Sequence, residues 1–575
     1  MHWRAPLFPR RRTVGATSIL CPLLAGCQVF VEDADRQVYK LIEQREQQAI
    51  GQKPDATIDE EHVPRPVPPT AYDRVPSATQ SAVPPAMRVA SRPSTQPLAP
   101  PTSQEVVAPT TRAVEIRRMT LTEALAYAFR HSREFQSAKE DLYLAALALT
   151  LERHLWGPRF LAGIRFDYAN YGEIRDFDHA MRAVAQVAAE QKLPYGGEVT
   201  AKVINTLMRD LGRQITSKES GQAILEANLP LLRGAGKVAR ESLYQAERDL
   251  IYATRTFERF RQTFAVRVAG DYFDLIRIKQ QIANARSSYR SFYDDSERST
   301  ALFQAGRLIE LEAQRAQQSL LAAWNNVVNA EQTYRTRLDQ FKILIGMTTT
   351  EPLDTVEEEF DLRVPQVDEQ AAIRIAMENR LDLINSRDAI DDAHRAVAVA
   401  QNNLLPDLNL RGSVTWDTNP NKLDQFYYDH ERTTWRAGVD LEVPLDRVKE
   451  RNEYRAALID LRRAQRRYDL AADSIRLQVR QDRRDIERAL TSLSIQSQSI
   501  ELAQRQREAA DFRFKQGLIS NREVVDAENN LLNARDRYAD FQSALRKAIL
   551  AFYLDTGMIR ADDEGNLLDP AALKH

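Results

Sequence analysis

Cysteine is nearly missing from this 575-residue chain: there are two, Cys21 and Cys27, both near the N-terminus. Beyond residue 27 no disulfide can staple the fold and no cysteine can ligate a metal. Histidine is scarce, at 8 residues, and no two stand at metal-ligand spacing. Glycine is low, at 20, and 13 of the 25 prolines crowd into residues 53–112, so the remainder has few helix breakers. After the N-terminus no run of 18 apolar residues occurs, which excludes a helical membrane span. A β-barrel span is not excluded, because barrel strands alternate and escape a hydropathy average. The formal net charge of −2 lacks the basic footprint of a nucleic-acid binder. A phosphate loop is lacking too: RGAGK at 233–237 has the wrong spacing, and Lys237 is followed by Val238 rather than Ser or Thr. Carboxylates abound on charged stretches without a pairing that singles out an acid or a base. We expect no enzyme, no catalytic residue, no cofactor and no metal site.

The N-terminus carries a different message. Arg4, Arg10, Arg11 and Arg12 precede a short, mostly apolar stretch ending in Leu23-Leu24-Ala25-Gly26-Cys27. This reads as a secretory signal over 1–26. Leu-Ala-Gly-Cys resembles a bacterial lipobox, which implies lipidation (palmitate-type acylation) of Cys27. Each buried CH2 contributes about 0.8 kcal/mol, so a multiply acylated terminus holds a membrane firmly. Gln28, rather than Asp, leans toward the outer membrane by the same resemblance. Residues 27–114 then read as lipid anchor, one short helix and a Pro-, Ser- and Thr-rich tether that cannot pack a core.

From residue 115 onward the landmarks come in pairs. Ala128 and Pro158 match Ala376 and Pro406 at an offset of 248. Phe303, Gly306, Glu312 and Ala316 match Phe514, Gly517, Glu523 and Ala527 at an offset of 211, as do Gly346 and Gly557. Two repeats follow, 115–350 and 351–560, with a tail at 561–575. Each reads as helix, Pro-bounded β segment, long helix, Phe-x-x-Gly turn, helix. Long helices at 235–302 and 448–513 would span about 100 Å each, and the short ones, at 120–156, 308–346, 370–404 and 519–555, about 50–60 Å. Heptads such as Val524, Leu531, Tyr538, Leu545 with Ala527 and Ala534 indicate coiled-coil packing, although heptads alone say only that helices pair.

The Pro-bounded segments alternate as membrane strands do. In the second repeat, strands at 407–417 and 434–444 put Leu408, Leu410, Val414 and Trp416, then Trp435, Val439 and Leu441, on one face. Trp416 and Trp435 stand at the loop end, where an aromatic girdle would lie. The alternative is a hairpin laid on a soluble core. In the first repeat, strands are expected within about 159–231. The extra 181–206, with its turn LPYGG, is either an added hairpin or a long folded loop.

These residues together resemble the TolC-type outer-membrane efflux proteins, the outer-membrane factor family. The resemblance rests on the duplicated Phe-x-x-Gly-x5-Glu turns, the Pro-bounded hairpins, NLLPDLNLRGSV and FKQGLISNREVVDAENNLLNAR, and covers about three quarters of the chain. It implies a mainly α fold with a membrane β-barrel portion: a homotrimer with a 12-strand barrel, two strands per repeat, and an α-helical periplasmic tunnel. It also implies work with a periplasmic adaptor (membrane fusion protein) and an inner-membrane transporter, in a tripartite efflux pump or type I secretion system, carrying drugs, metal ions or other solutes through outer-membrane lipid. Phe303, Gly306, Phe514 and Gly517 would form adaptor-docking tips, each Phe either touching the adaptor or packing under its turn. Glu523 and Asp526 match the family's aperture acids and would form carboxylate rings, unless they are ordinary acids at a helix N-terminus. Glu312 is the first-repeat counterpart and a candidate for bonds that hold the tip shut. Ile519 stands where the family's best-studied gate has Arg, with Arg522 nearby. The competing reading is a lipid-anchored structural or adaptor-like coiled-coil envelope protein.

Overall fold

The computed structural model describes residues 26–49, 116–170, 179–210, 217–357, 364–418, 428–562 and 564–568. The expected signal, apart from Gly26, and the Pro-rich tether lie outside the described residues, as does the end of the tail from 569. Helix α1 (Gly26–Ala49) comes first. Then β1 (Arg117–Met119) leads into α2 (Leu121–His131) and α3 (Arg133–Leu155). Thr120 and Glu123 close a capping box at the start of α2, satisfying two of its free N–H groups. Four strands follow: β2 (Arg159–Asn170), β3 (His179–Lys192), β4 (Glu198–Asp210) and β5 (Ser217–Pro230). A 3-10 turn (Gly236–Arg240) opens α4 (Glu241–Gln304), which reverses into α5 (Glu310–Ile345).

The same order recurs: β6 (Leu353–Thr355), α6 (Glu369–Asn379), α7 (Leu381–Asn402), β7 (Asp407–Thr418), β8 (Tyr428–Glu442), α8 (Val448–Lys515) and α9 (Asn521–Asp555). A hairpin of β9 (Arg560–Ala561) and β10 (Leu567–Leu568) ends it. Helices α4 and α8, with 64 and 68 residues, run about 96 and 102 Å at 1.5 Å per residue.

The expected short helices at 120–156 and 370–404 are each broken once. Ser132 and Arg380, 248 positions apart, adopt extended backbone (ψ 125° and 115°) between α2 and α3 and between α6 and α7. What packs there explains the break. Gly346 ends α5 at φ 82°, and a Cβ on it would lie 1.9 Å from the His131 carbonyl oxygen. Gly557 sits equivalently at φ 69°, with Asn379 3.2 Å from a notional Cβ. The Gly-Met landmarks are therefore close-approach sites where each repeat's last helix meets the kink of its first.

Each repeat has its own helical core. In the first, Phe129, Phe135, Phe257 and Phe264 cluster, with the Phe129 and Phe135 ring centroids 5.0 Å apart. Tyr272 donates to the Met119 and Val356 carbonyls at 3.0 and 2.5 Å, tying α4 to the parallel pair β1–β6. In the second, Ile475, Val479 and Ile486 of α8 pack on Ala372, Ala376, Leu383, Ile549 and Phe552. The heptad seam is buried at Val524, Ala527, Leu531 and Ala534.

One expectation needs correction. Two strands per repeat underlay the 12-strand barrel, but the chain builds one six-stranded antiparallel sheet in the order β2-β3-β4-β5-β7-β8. The first repeat supplies four strands, because 181–206 forms most of an added hairpin seated between β2 and β5. Four strands per chain do not hold for this sheet, which has six.

Candidate functional site: a two-faced sheet and two helical tips

Strand register carries one face of the sheet across both repeats. Phe160, Ala189, Ala201, Leu225, Val414 and Trp435 form an apolar row over six strands. The row one residue away, on the opposite face, is Arg159, Glu190, Thr200, Glu226, Ser413 and Arg436. Alternation with period two produces this, since successive side chains point to opposite faces. The apolar face is bare in the single chain: Phe160 is 79% exposed and Trp435 75%. The polar face is cross-linked by ion pairs, Arg159–Glu190 at 3.1 Å, Lys202–Glu226 at 3.1 Å and Arg411–Asp440 at 2.7 Å. Trp416 and Trp435 share the apolar face at the end away from the helices, Trp416 partly covered and Trp435 open. A soluble protein would bury such a face; lipid is the solvent it suits.

About 100 Å away along the helices, both Phe-x-x-Gly turns are built identically. Gly306 (φ 70°) donates to the Phe303 carbonyl at 2.9 Å, and Arg307 to Leu302 at 2.9 Å. Gly517 (φ 72°) donates to Phe514 at 2.9 Å, and Leu518 to Arg513 at 3.0 Å. Each is a Schellman motif, a left-handed glycine closing the last carbonyls of a long helix. The two phenylalanines differ. Phe514 is buried among Ala510, Val524 and Ala527, under its turn. Phe303 is 41% exposed.

The acids at the tips also separate. Glu523 and Asp526 are both exposed on α9. The Ser520 hydroxyl bonds to the Glu523 carboxylate and, with backbone N–H groups at the helix start, holds it below the usual range. Arg522 stands 3.8 Å from Asp526. Glu312 is instead buried and bonded to Arg315 of its own helix at 2.7 Å, with Oε2 lacking a partner.

A charged cluster near the tips escaped sequence reasoning. Arg298 of α4 reaches Asp511 of α8 at 2.7 Å and Asp295 at 3.5 Å. Arg507 of α8 pairs with the buried Glu528 of α9 at 3.1 Å and donates to the Ser291 hydroxyl at 3.3 Å. Burial pushes Asp295 up to about 6, against the pull of Arg298. Residues more than 200 positions apart meet here, and no local pattern announces that.

Helix α1 docks along α3 and α4 through Val38 and Ile42. The Tyr143 hydroxyl donates to Asp35, and Arg45 joins Arg153 on Glu247 at 3.3 and 3.0 Å. These contacts make α1 parallel to α3, so Cys27 begins it at the end away from the sheet. Matched to α3, its backbone lies roughly 30 Å below Leu155 at 1.5 Å per residue.

Residues 372–557 match the family model described as outer membrane efflux protein. The outer membrane protein TolC of Vibrio cholerae is 23% identical over 432 residues, covering 71% of this chain and 94% of that protein. The TolC of Escherichia coli is 20% identical over 301 residues, 50% of this chain and 59% of its own length. Among solved structures, the Vibrio cholerae outer membrane protein VceC shares the fold with a TM-score of 0.60 at 14% identity, covering 76% of this chain and 96% of its own. The Campylobacter jejuni CmeC outer membrane channel does so with a TM-score of 0.57 at 15% identity, covering 79% and 88%. Family match, curated relatives and shared fold agree on what the chain is similar to: residues 372–557 match the outer membrane efflux proteins, and the chain resembles TolC in sequence and the outer-membrane channels in fold.

Proposed function

We propose that three copies of this chain form the outer-membrane exit duct of a tripartite efflux pump or type I secretion system. The observation that carries the reading is the two-faced sheet, continuous through Pro230 and Pro444 with helices about 100 Å long. Among the described residues β2 and β8 each have one neighbour, so the sheet has two free edges there. An open edge in lipid leaves backbone groups unsatisfied at several kcal/mol each, so the sheet must close with others. β8 of one copy can meet β2 of the next in antiparallel fashion, because the six strands alternate in direction. The family relationship supplies the number three.

On this reading the tips take a periplasmic adaptor, which in turn engages an inner-membrane transporter. The exposed Phe303 contacts the adaptor and Phe514 supports the turn beneath it. Glu523 and Asp526 face the axis as carboxylate rings, and Glu312 stiffens its own helix start. Acylation of Cys27 belongs to the proposal and requires α1 to leave its docked place; mass spectrometry of the mature N-terminus finding no lipid overturns it. The duct itself is tested on the full-length protein in detergent. Trimers that dissociate on heating and conduct ions in planar bilayers are expected. A monomer soluble without detergent, or a lipid-anchored coiled-coil protein without conductance, defeats the reading.

A further inference from the structure

The geometry points to a widened outlet: we propose that the β3–β4 hairpin is an integral wall segment, so that the assembled duct has an 18-strand barrel and passes bulkier hydrated cargo than four strands per chain would allow. This rests on the three-copy duct above. Six strands per chain in three copies make 18, where four would make 12. Barrel diameter grows roughly linearly with strand number, so the outlet is about 1.5 times wider, and barrels of 16–18 strands hold an aqueous channel.

Three independent features make the hairpin part of the wall rather than a loop folded over it. First, β2 pairs with β3 from Arg159 to Asn170 and β4 with β5 from Glu198 to Arg209, while β2 and β5 are not neighbours. Removing the hairpin would leave a gap two strands wide. Second, both faces run through it in phase. Val187 and Val203 continue the apolar side between Ala162 and Ala223, and Gln186, Glu190 and Lys202 continue the polar side.

Third, its helix-end turn, the LPYGG noted in the sequence, is locked to the corner where β5 becomes α4. Gly196 and Gly197 have φ 104° and 83°. A Cβ on Gly197 would lie 2.0 Å from the Asn228 carbonyl oxygen, and one on Gly196 2.7 Å from that of Gly234. The Gly236 amide donates to the Tyr195 carbonyl at 2.8 Å. The RGAGK segment is thus the socket for this turn. Such close backbone approach admits only glycine, and it fixes the hairpin at the floor of the sheet.

The cargo consequence follows from the faces. The added strands put Arg182, Gln186, Glu190, Lys192, Glu198 and Lys202 on the water side, charges of both signs and an amide, with mostly Ala and Val toward lipid. A wall so composed suits large, hydrated, polar solutes rather than compact apolar ones.

Electron cryomicroscopy of the full-length protein in lipid nanodiscs decides the strand count. Eighteen strands are expected; a trimeric 12-strand barrel with β3–β4 folded elsewhere overturns this inference while leaving the duct intact, whereas absence of a trimer removes the duct itself. Single cysteines report the faces independently. Gln186→Cys and Lys202→Cys should react with a charged, membrane-impermeant thiol reagent at least tenfold faster than Val187→Cys and Val203→Cys; equal rates overturn the placement. Joining Asn170 to Ser217 by deleting 171–216 should lower the largest polymer diameter admitted from the outer side to about two-thirds. An unchanged cut-off in a folded trimer refutes the widening, and if the deletion fails to fold, the strand count stands as the test.

Discussion

At the scale of single residues, glycine at positive φ does two separable jobs. Gly517 (φ 72°) has open space where a Cβ would go, whereas Gly346 (φ 82°) has the His131 carbonyl there. Gly517→Ala should cost only the left-handed backbone term, about 1–2 kcal/mol. Gly346→Ala should cost at least about 3 kcal/mol, since the backbone of α2 must also shift. Denaturant midpoints in detergent compare the two, and equal losses would show that close approach contributes nothing. Both positions were visible in the sequence as paired landmarks. Why one tolerates change was not, because the obstructing carbonyl belongs to a different helix, which ends 215 residues before Gly346.

Among the elements, the helical hairpins owe their ends to local chemistry and their partners to distant residues. Phe514 is buried under its turn and Phe303 is exposed. Phe514→Ala should therefore loosen the α8–α9 tip by about 3 kcal/mol, while Phe303→Ala leaves stability within about 0.5 kcal/mol and weakens capture of the adaptor. The reverse pattern in unfolding and pull-down would exchange their roles. Between elements, Asp295 of α4 is pushed up to about 6 from 3.8 by burial. The folded state then holds a proton that the unfolded chain releases. The resulting stabilisation is full below about pH 3.8 and is lost as pH rises to about 6. Asp295→Asn should flatten that dependence and gain about 1–2 kcal/mol at pH 7.5, discounted for the lost attraction to Arg298. Unfolding midpoints that keep the parent's slope between pH 4 and 6 would exonerate Asp295.

For the whole assembly the proposed rings set selectivity. Glu523 is kept ionised by Ser520, and Asp526 is open to solvent on the same helix face. Replacing Glu523→Gln and Asp526→Asn together should move the reversal potential in a salt gradient toward zero, a several-fold loss of cation preference. Retention of the parental potential would place the constriction elsewhere. Only this scale gives the sheet a meaning: its bare apolar face and unsatisfied edges are faults in one copy and a sealed wall in a closed ring.

What the sequence determined by itself is everything governed by neighbours in the chain. Period-two alternation set the faces of β7 and β8, the spacing of Phe-x-x-Gly and Gly-Met set the helix ends, and the heptads set the seams. The added strands stayed ambiguous because β3 is rich in alanine and β4 carries Asn205 on its apolar side, so each alternates weakly. Tertiary structure alone decided that they join the sheet, that Ser132 and Arg380 interrupt their helices, and that Asp295, Asp511 and Glu528 share a cluster. In each case the deciding contact is a close approach between backbones or charges far apart in sequence, and such contacts exist only once the chain has folded.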